Sequence, residues 1–176
     1  MPESINNLRG ILEYAPILRV RRNHGLEHAT LHVLAERHPG RPLAGHSDLS
    51  GFWIIGDLSV EELASAIQEA RARLENGESK LAVHPNCGTN FATSGVLAGL
   101  AAAIVMFGVG KRARDNLDRL PLAILMATLA LILSQPLGLQ LQEHVTTSGV
   151  LGRLRVVEIT PRLQGTVKAH RVVTEG

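Results

Sequence analysis

Two stretches of this chain, Phe91 to Gly110 and Leu120 to Leu139, contain no charged residue. Each is about 20 residues long, the length an α-helix rising about 1.5 Å per residue needs to cross roughly 30 Å of hydrocarbon. Core helices of soluble proteins rarely stay uncharged on every face for that length, because one side normally meets water. Membrane spanning is therefore expected, with a buried helical hairpin as the competing arrangement. The connection, KRARDNLDR, is short and polar, so the helices are expected to be antiparallel neighbours with the flanking polar segments on one side. Gly95 and Gly99 form a small-xxx-small pair that would permit close helix packing.

The rest of the chain reads as a mixed helix and sheet domain. A short apolar run at residues 8 to 19 is interrupted by Pro16 and is too short to span a bilayer. From Val20 the spacing of Leu26, Ala29, Leu31, Val33 and Leu34 predicts a helix that ends at His38-Pro39-Gly40. PLAGHSDLSGFWIIGD predicts a β-hairpin turning at Asp48 to Gly51. Ser59 and Glu62 have capping-box spacing ahead of a helix carrying Leu63, Ala66, Ile67, Ala70 and Leu74. Lys80 to His84 reads as a strand, and Leu154 to Ile159 and Thr166 to Val173 as two more that complete the sheet. The expected fold is α+β, with an antiparallel transmembrane hairpin inserted before the C-terminal strands. Its segments are 1–90 for the N-terminal α/β part, 91–139 for the hairpin and 140–176 for the returning strands.

Composition narrows the function. Apolar residues make up 45% of the chain and charged residues 19%, an apolar excess that the two runs account for locally. The net charge of +2 is spread along the chain without interleaved aromatics, which excludes nucleic acid as a partner and leaves the lipid bilayer as the expected one. The single cysteine, Cys87, makes no intrachain disulfide and is free for metal or redox chemistry. The N-terminal segment lacks the continuous apolar core of a secretory signal, so residue 1 is read as the start of the mature protein.

The chemical signal is concentrated in two places. His24-Gly25-Leu26-Glu27-His28 puts two histidines four residues apart on one helix face, able to reach one ion, with Glu27 beside them to take a proton from bound water. This is the inverted zincin order, and a solvated polar helix face is the bland alternative. His84 and Cys87 stand in a Pro- and Gly-bounded loop before the first apolar run, where imidazole and thiolate are both good zinc ligands. The expected ligands are His24, His28 and Cys87, with His84 as a fourth ligand or a supporting partner. Three ligands would leave an open position for water, and four would close the site and make it structural. His32 lies one turn beyond His28. His46, Asp48 and Glu143 are candidate outer groups, and Thr89 or Asn90 candidates for orienting a substrate.

H-G-x-E-H, H-P-x-C-G-T before an apolar helix, Leu141 followed by Val145-Thr146-Thr147, and Val157-Glu158 together resemble the YqhQ-like predicted metal-dependent membrane proteins and related domains of unknown function. The resemblance runs from about residue 24 to 159, with its specific content in the first two motifs. It implies a membrane-anchored α/β domain with metal residues at His24, Glu27, His28, His84 and Cys87. The middle segment GFWIIGDLSVEELASAIQEARARL lies outside that pattern.

The leading functional expectation is a membrane-anchored zinc hydrolase, in particular a peptidase, with zinc or another divalent transition metal as cofactor and Glu27 as general base. The alternative is a non-enzymatic protein whose metal staples helix to loop and supports assembly with a membrane-protein partner. A thiol redox sensor is the weakest reading, because no resolving cysteine exists. Multi-pass placement in the cell membrane with the polar domain in the cytoplasm is expected. The basic residues Lys111, Arg112, Arg114 and Arg119 of the connection oppose that orientation, and Arg71, Arg73, Lys80, Arg153 and Arg155 favour it.

Overall fold

The computed structural model describes residues 10–108, 110, 113–164 and 167–176. Two compact units divide the chain: Met1–His84 with Glu143–Gly176, and Pro85–Gln142.

The first unit opens with helix α1 (Ala15–Arg37). It begins earlier than the apolar spacing from Val20 implies, because Pro16 sits in the first turn, where its missing N–H costs nothing and its fixed φ favours the helix. Strands β1 (Ala44–Asp48) and β2 (Gly51–Ile55) form the expected hairpin around Leu49 and Ser50. Helix α2 (Val60–Glu75) starts on the expected capping box: Ser59 Oγ accepts from the Glu62 amide, and the Glu62 carboxylate accepts from the Ser59 amide.

The expected strand at Lys80 to His84 is instead a 3-10 turn, Ser79–Ala82. The carbonyls of Ala82 and Val83, which a strand would use in a ladder, accept from His28 and His32. After the second unit the chain returns as β3 (Arg155–Gln164) and β4 (Val167–Glu175), closing an antiparallel sheet of order β1-β2-β4-β3. Its core joins Leu26, Val33 and Leu34 of α1 to Phe52 and Ile54 of β2, Leu63 and Ile67 of α2, and Val172 of β4. Buried Asn23 ties α1 to two strands at one end of the sheet, donating to the Asp48 carbonyl at 2.8 Å and accepting from Thr174 Oγ1 at 2.7 Å.

The second unit contains α3 (Gly88–Met106) and α4 (Ala113–Leu141). Asn90 meets Gln142, Ser94 meets Ser134 and the Val105 carbonyl meets Arg119, a pairing order that makes the helices antiparallel. Much of the expected polar connection is helical, since α4 starts at Ala113; Lys111 and Arg112 lie outside the described residues.

Gly95 and Gly99 do not form the expected close contact, for an added Cβ at either would meet nothing within 4 Å. The close approach is at Gly138, where a Cβ would stand 2.5 Å from Asn90 Oδ1. Both helices are long and apolar enough to cross a membrane, and only 11% and 17% of their most apolar windows are buried. Ile104, Ile132 and Leu133 are each more than 60% exposed, an apolar surface uncommon on soluble proteins.

Candidate metal centre

One face of α1 carries His24, Glu27, His28 and His32, and packing brings the 3-10 turn and the 146–148 segment close to it. Gly25 permits this approach. A Cβ there would lie 2.2 Å from the Ser148 carbonyl oxygen and 3.3 Å from the Ala82 Cβ, so only glycine lets both segments come in. Ser148 is held by its amide bond to the Arg21 carbonyl at 2.9 Å, and the Arg21 guanidinium donates to the Thr147 carbonyl at 3.0 Å.

Those two segments orient the histidines. Nδ1 of His24 lies 3.0 Å from the Thr146 carbonyl, and Nδ1 of His28 lies 2.8 Å from the Ala82 carbonyl. A carbonyl only accepts, so each Nδ1 carries the hydrogen of that bond. A backbone carbonyl on the far nitrogen is the usual support of a metal-binding histidine. His32 is turned the other way, bonding the Val83 carbonyl through Nε2 at 2.9 Å. The rings cluster: His24 and His28 centroids are 4.3 Å apart, His28 and His84 5.6 Å, and His32 and His84 4.9 Å. Burial first, and then neighbouring His24, push His28 down to about 3, so it is neutral at physiological pH. Burial and His32 push His84 down as well.

Glu27 is 3% exposed. Ser47 Oγ donates to its Oε2 at 2.5 Å, and Gly45 lies against Oε1. Burial raises its carboxyl above the usual carboxylate range, against the opposing pull of the Ser47 hydrogen bond and of His24. Neither Gly45 nor Ser47 was among the expected site residues. The signal for them is strand alternation: residues 45 and 47 share the face of β1 turned to α1, whereas 46 and 48 face the other way. Asp48 accordingly accepts a two-pronged pair of bonds from Arg171 at 2.7 and 2.8 Å, and the Arg171 guanidinium lies over Trp53. It is a sheet residue, not an outer group of the histidine cluster, and His46 is exposed on the same side. Glu143 is exposed.

In the second unit, Cys87 caps α3, its buried Sγ accepting from the Thr89 amide at 3.4 Å. Asn90 is committed to the hairpin, accepting from Gln142 at 2.6 Å and donating to the Pro85 carbonyl at 2.7 Å, which removes it as a free substrate-orienting group. Among the described residues, His24 and His28 of the first unit and Cys87 of the second are each of a type that could ligate a metal ion. Two imidazoles and a thiolate suit zinc and other late first-row metals.

Residues 19–159 match the family described as a domain of unknown function, DUF6391. The chain is 35% identical to an uncharacterized protein of Picosynechococcus sp., in an alignment covering 81% of this chain and 74% of that relative. No solved structure matches it.

Proposed function

We propose that this chain, which belongs to the DUF6391 family, is a membrane-anchored, metal-dependent hydrolase in which His24, His28 and Cys87 hold zinc and Glu27 handles the proton. The observation that carries the reading is the backbone carbonyl set against Nδ1 of each α1 histidine, the usual outer support of a metal-binding imidazole. Cys87 follows His84 by three residues, so the chain itself keeps their Cα atoms within about 11 Å of each other. A bound zinc ion would supply Lewis acidity toward a carbonyl and lower the pKa of water to about 7.

The protein groups do the rest. Glu27, whose carboxyl burial raises above the usual range, is the group assigned to accept a proton and return it to a leaving group. The metal residues and membrane anchoring agree with the YqhQ-like resemblance of the two histidine motifs. The apolar outer faces of α3 and α4 support a multi-pass anchor, and the proposed orientation keeps the polar unit in the cytoplasm.

One observation favours a closed, structural site serving assembly with a partner: His84 stands against both His28 and His32 and could supply a fourth ligand. Metal content and hydrolysis of a peptide and ester panel, measured on detergent-purified Glu27→Gln and His28→Ala proteins, separate the readings. The hydrolase reading expects Glu27→Gln to keep its metal and lose turnover, and His28→Ala to lose both. Loss of metal from Glu27→Gln to the extent seen in His28→Ala would make Glu27 a ligand and overturn this assignment. Full metal with no turnover in the parent protein would favour the structural site.

A further inference from the structure

The sheet ends at β1, and no strand covers its outer edge among the described residues. The register fixes which backbone groups point there. Ser50 accepts from Thr174 and Gly56 donates to Lys168, so the even-numbered residues of the β2 segment bond to β4 and the odd-numbered ones bond to β1. Gly51, Trp53 and Ile55 therefore pair by hydrogen bonds with Asp48, His46 and Ala44. The N–H and C=O groups of Gly45 and Ser47 are left aimed outward. These are the two residues that lie against the Glu27 carboxylate.

A second feature lies at the end of this strand. An open groove of about 520 Å³ is lined by Ile17 and Val20 of α1, Leu49 of the hairpin turn and Val145, and it reaches His24. Its walls are almost wholly apolar, and its size suits a large side chain. An acyl chain would fill the groove but would leave the outward amides of β1 unused. An extended polypeptide uses both, because alternate residues bond to the strand edge while one side chain enters a pocket.

From this juxtaposition we infer that the free edge of β1 and the groove ending at His24 form a docking site for an extended polypeptide segment carrying a large apolar side chain. The inference builds on the proposed hydrolase, for which it names the substrate class: a peptide laid along β1 runs past Glu27. Its backbone is read by Gly45 and Ser47 without regard to sequence, and selectivity comes from the groove.

The test uses the full chain in nanodiscs and fluorescein-labelled hexapeptides of alternating threonine and valine with a central leucine, phenylalanine or alanine. Each peptide is also made with either alternate set of amides N-methylated. Binding is read by anisotropy and cleavage by mass spectrometry in the same samples. One methylated set is expected to weaken binding about tenfold, the size expected for two lost hydrogen bonds, while the other set leaves it unchanged. Leucine and phenylalanine peptides should bind better than alanine ones, and Val20→Trp, checked for unchanged circular dichroism and metal content, should erase that preference.

Binding in register without cleavage would sink the hydrolase and leave the docking site standing. Cleavage indifferent to N-methylation and to Val20→Trp would do the reverse. Absence of binding by every peptide, or occupation of the groove by a pyrene-labelled fatty acid that no peptide displaces, overturns the inference.

Discussion

Gly45 faces Glu27 so closely that a methyl group on its Cα would stand 2.1 Å from the carboxylate Oε1 and 2.9 Å from Cγ. The strand thus forms a wall of the cavity that holds the acid. Ser47, two residues on and on the same face, donates a hydrogen bond to that carboxylate.

Gly45→Ala should displace the Glu27 side chain from Ser47 without moving the backbone, because the atoms in the way belong to a long side chain. The expected cost in stability is about 1 kcal/mol, at the low end for overpacking. Metal content should be unchanged and hydrolysis sharply reduced. Denaturant titration beside metal analysis checks this, and a loss of metal equal to that of His28→Ala would contradict it.

Gly25→Ala is a harsher change, although the residue types are the same. Its Cβ would meet the backbone carbonyl of Ser148, which the Arg21 carbonyl anchors through the Ser148 amide. Nothing there can rotate aside, so the 146–148 segment must retreat and take the Thr146 carbonyl away from His24. We expect a loss of about 3 kcal/mol, the upper range for an overpacked site, together with weakened metal binding. A thermal midpoint within a degree or two of the parent would show that the segment is looser than the structure indicates.

The pH dependence of the metal-free protein follows from His28. Unfolded, its imidazole takes up a proton near 6.5; folded, it refuses one until about 3. The folded state therefore loses stability as pH falls below 6.5 and keeps losing it until about 3. Glu27 works in the opposite direction: its carboxyl is raised on folding, so its contribution declines as pH rises from the ordinary 4.5. Glu27→Gln removes that opposing slope. Urea titrations of the metal-stripped Glu27→Gln protein should show stability climbing from pH 4 to 6.5, and adding His28→Phe should make the climb shallower, with His84 and His170, also pushed down by burial, supplying the remainder. A climb of unchanged steepness after His28→Phe would assign the effect to other groups.

The exposed apolar faces of α3 and α4 predict that the chain remains in the membrane pellet after alkaline carbonate washing and needs detergent for release. Quantitative release into the carbonate supernatant would place the hairpin on the surface or within a soluble assembly.

Local signals in the sequence went furthest where a few neighbouring residues decide the outcome. Ser59 and Glu62 announce a capping box, the run GFWII announces a strand, and two uncharged runs announce long helices, since each depends on its own residues and nearby hydrogen bonds. Lys80 to His84 was misleading because the deciding partners, His28 and His32, lie more than 40 residues away along the chain and draw its carbonyls out of any ladder. The histidine pair was legible from helical periodicity. Its supports at Thr146 and Ala82, and the Gly45 and Ser47 wall around Glu27, depend on register and packing between distant segments. Gly95 and Gly99 show the limit of a motif: the spacing is right, but the helices meet elsewhere, at Ser94, Ser134 and Gly138.

The sheet also sets a timetable. β2 pairs on one side with β1, made just before it, and on the other with β4, made only after both long helices, for Phe52 lies opposite Val172. During synthesis the apolar strand Gly51–Ile55 must wait with one edge open while both long apolar helices leave the ribosome. Edges left open in this way invite pairing with other chains. Both long helices are thus made before the sheet closes. A nascent chain stalled before Val167 would expose this strand to aggregation and to quality-control proteases, so β4 determines whether β2 is safe.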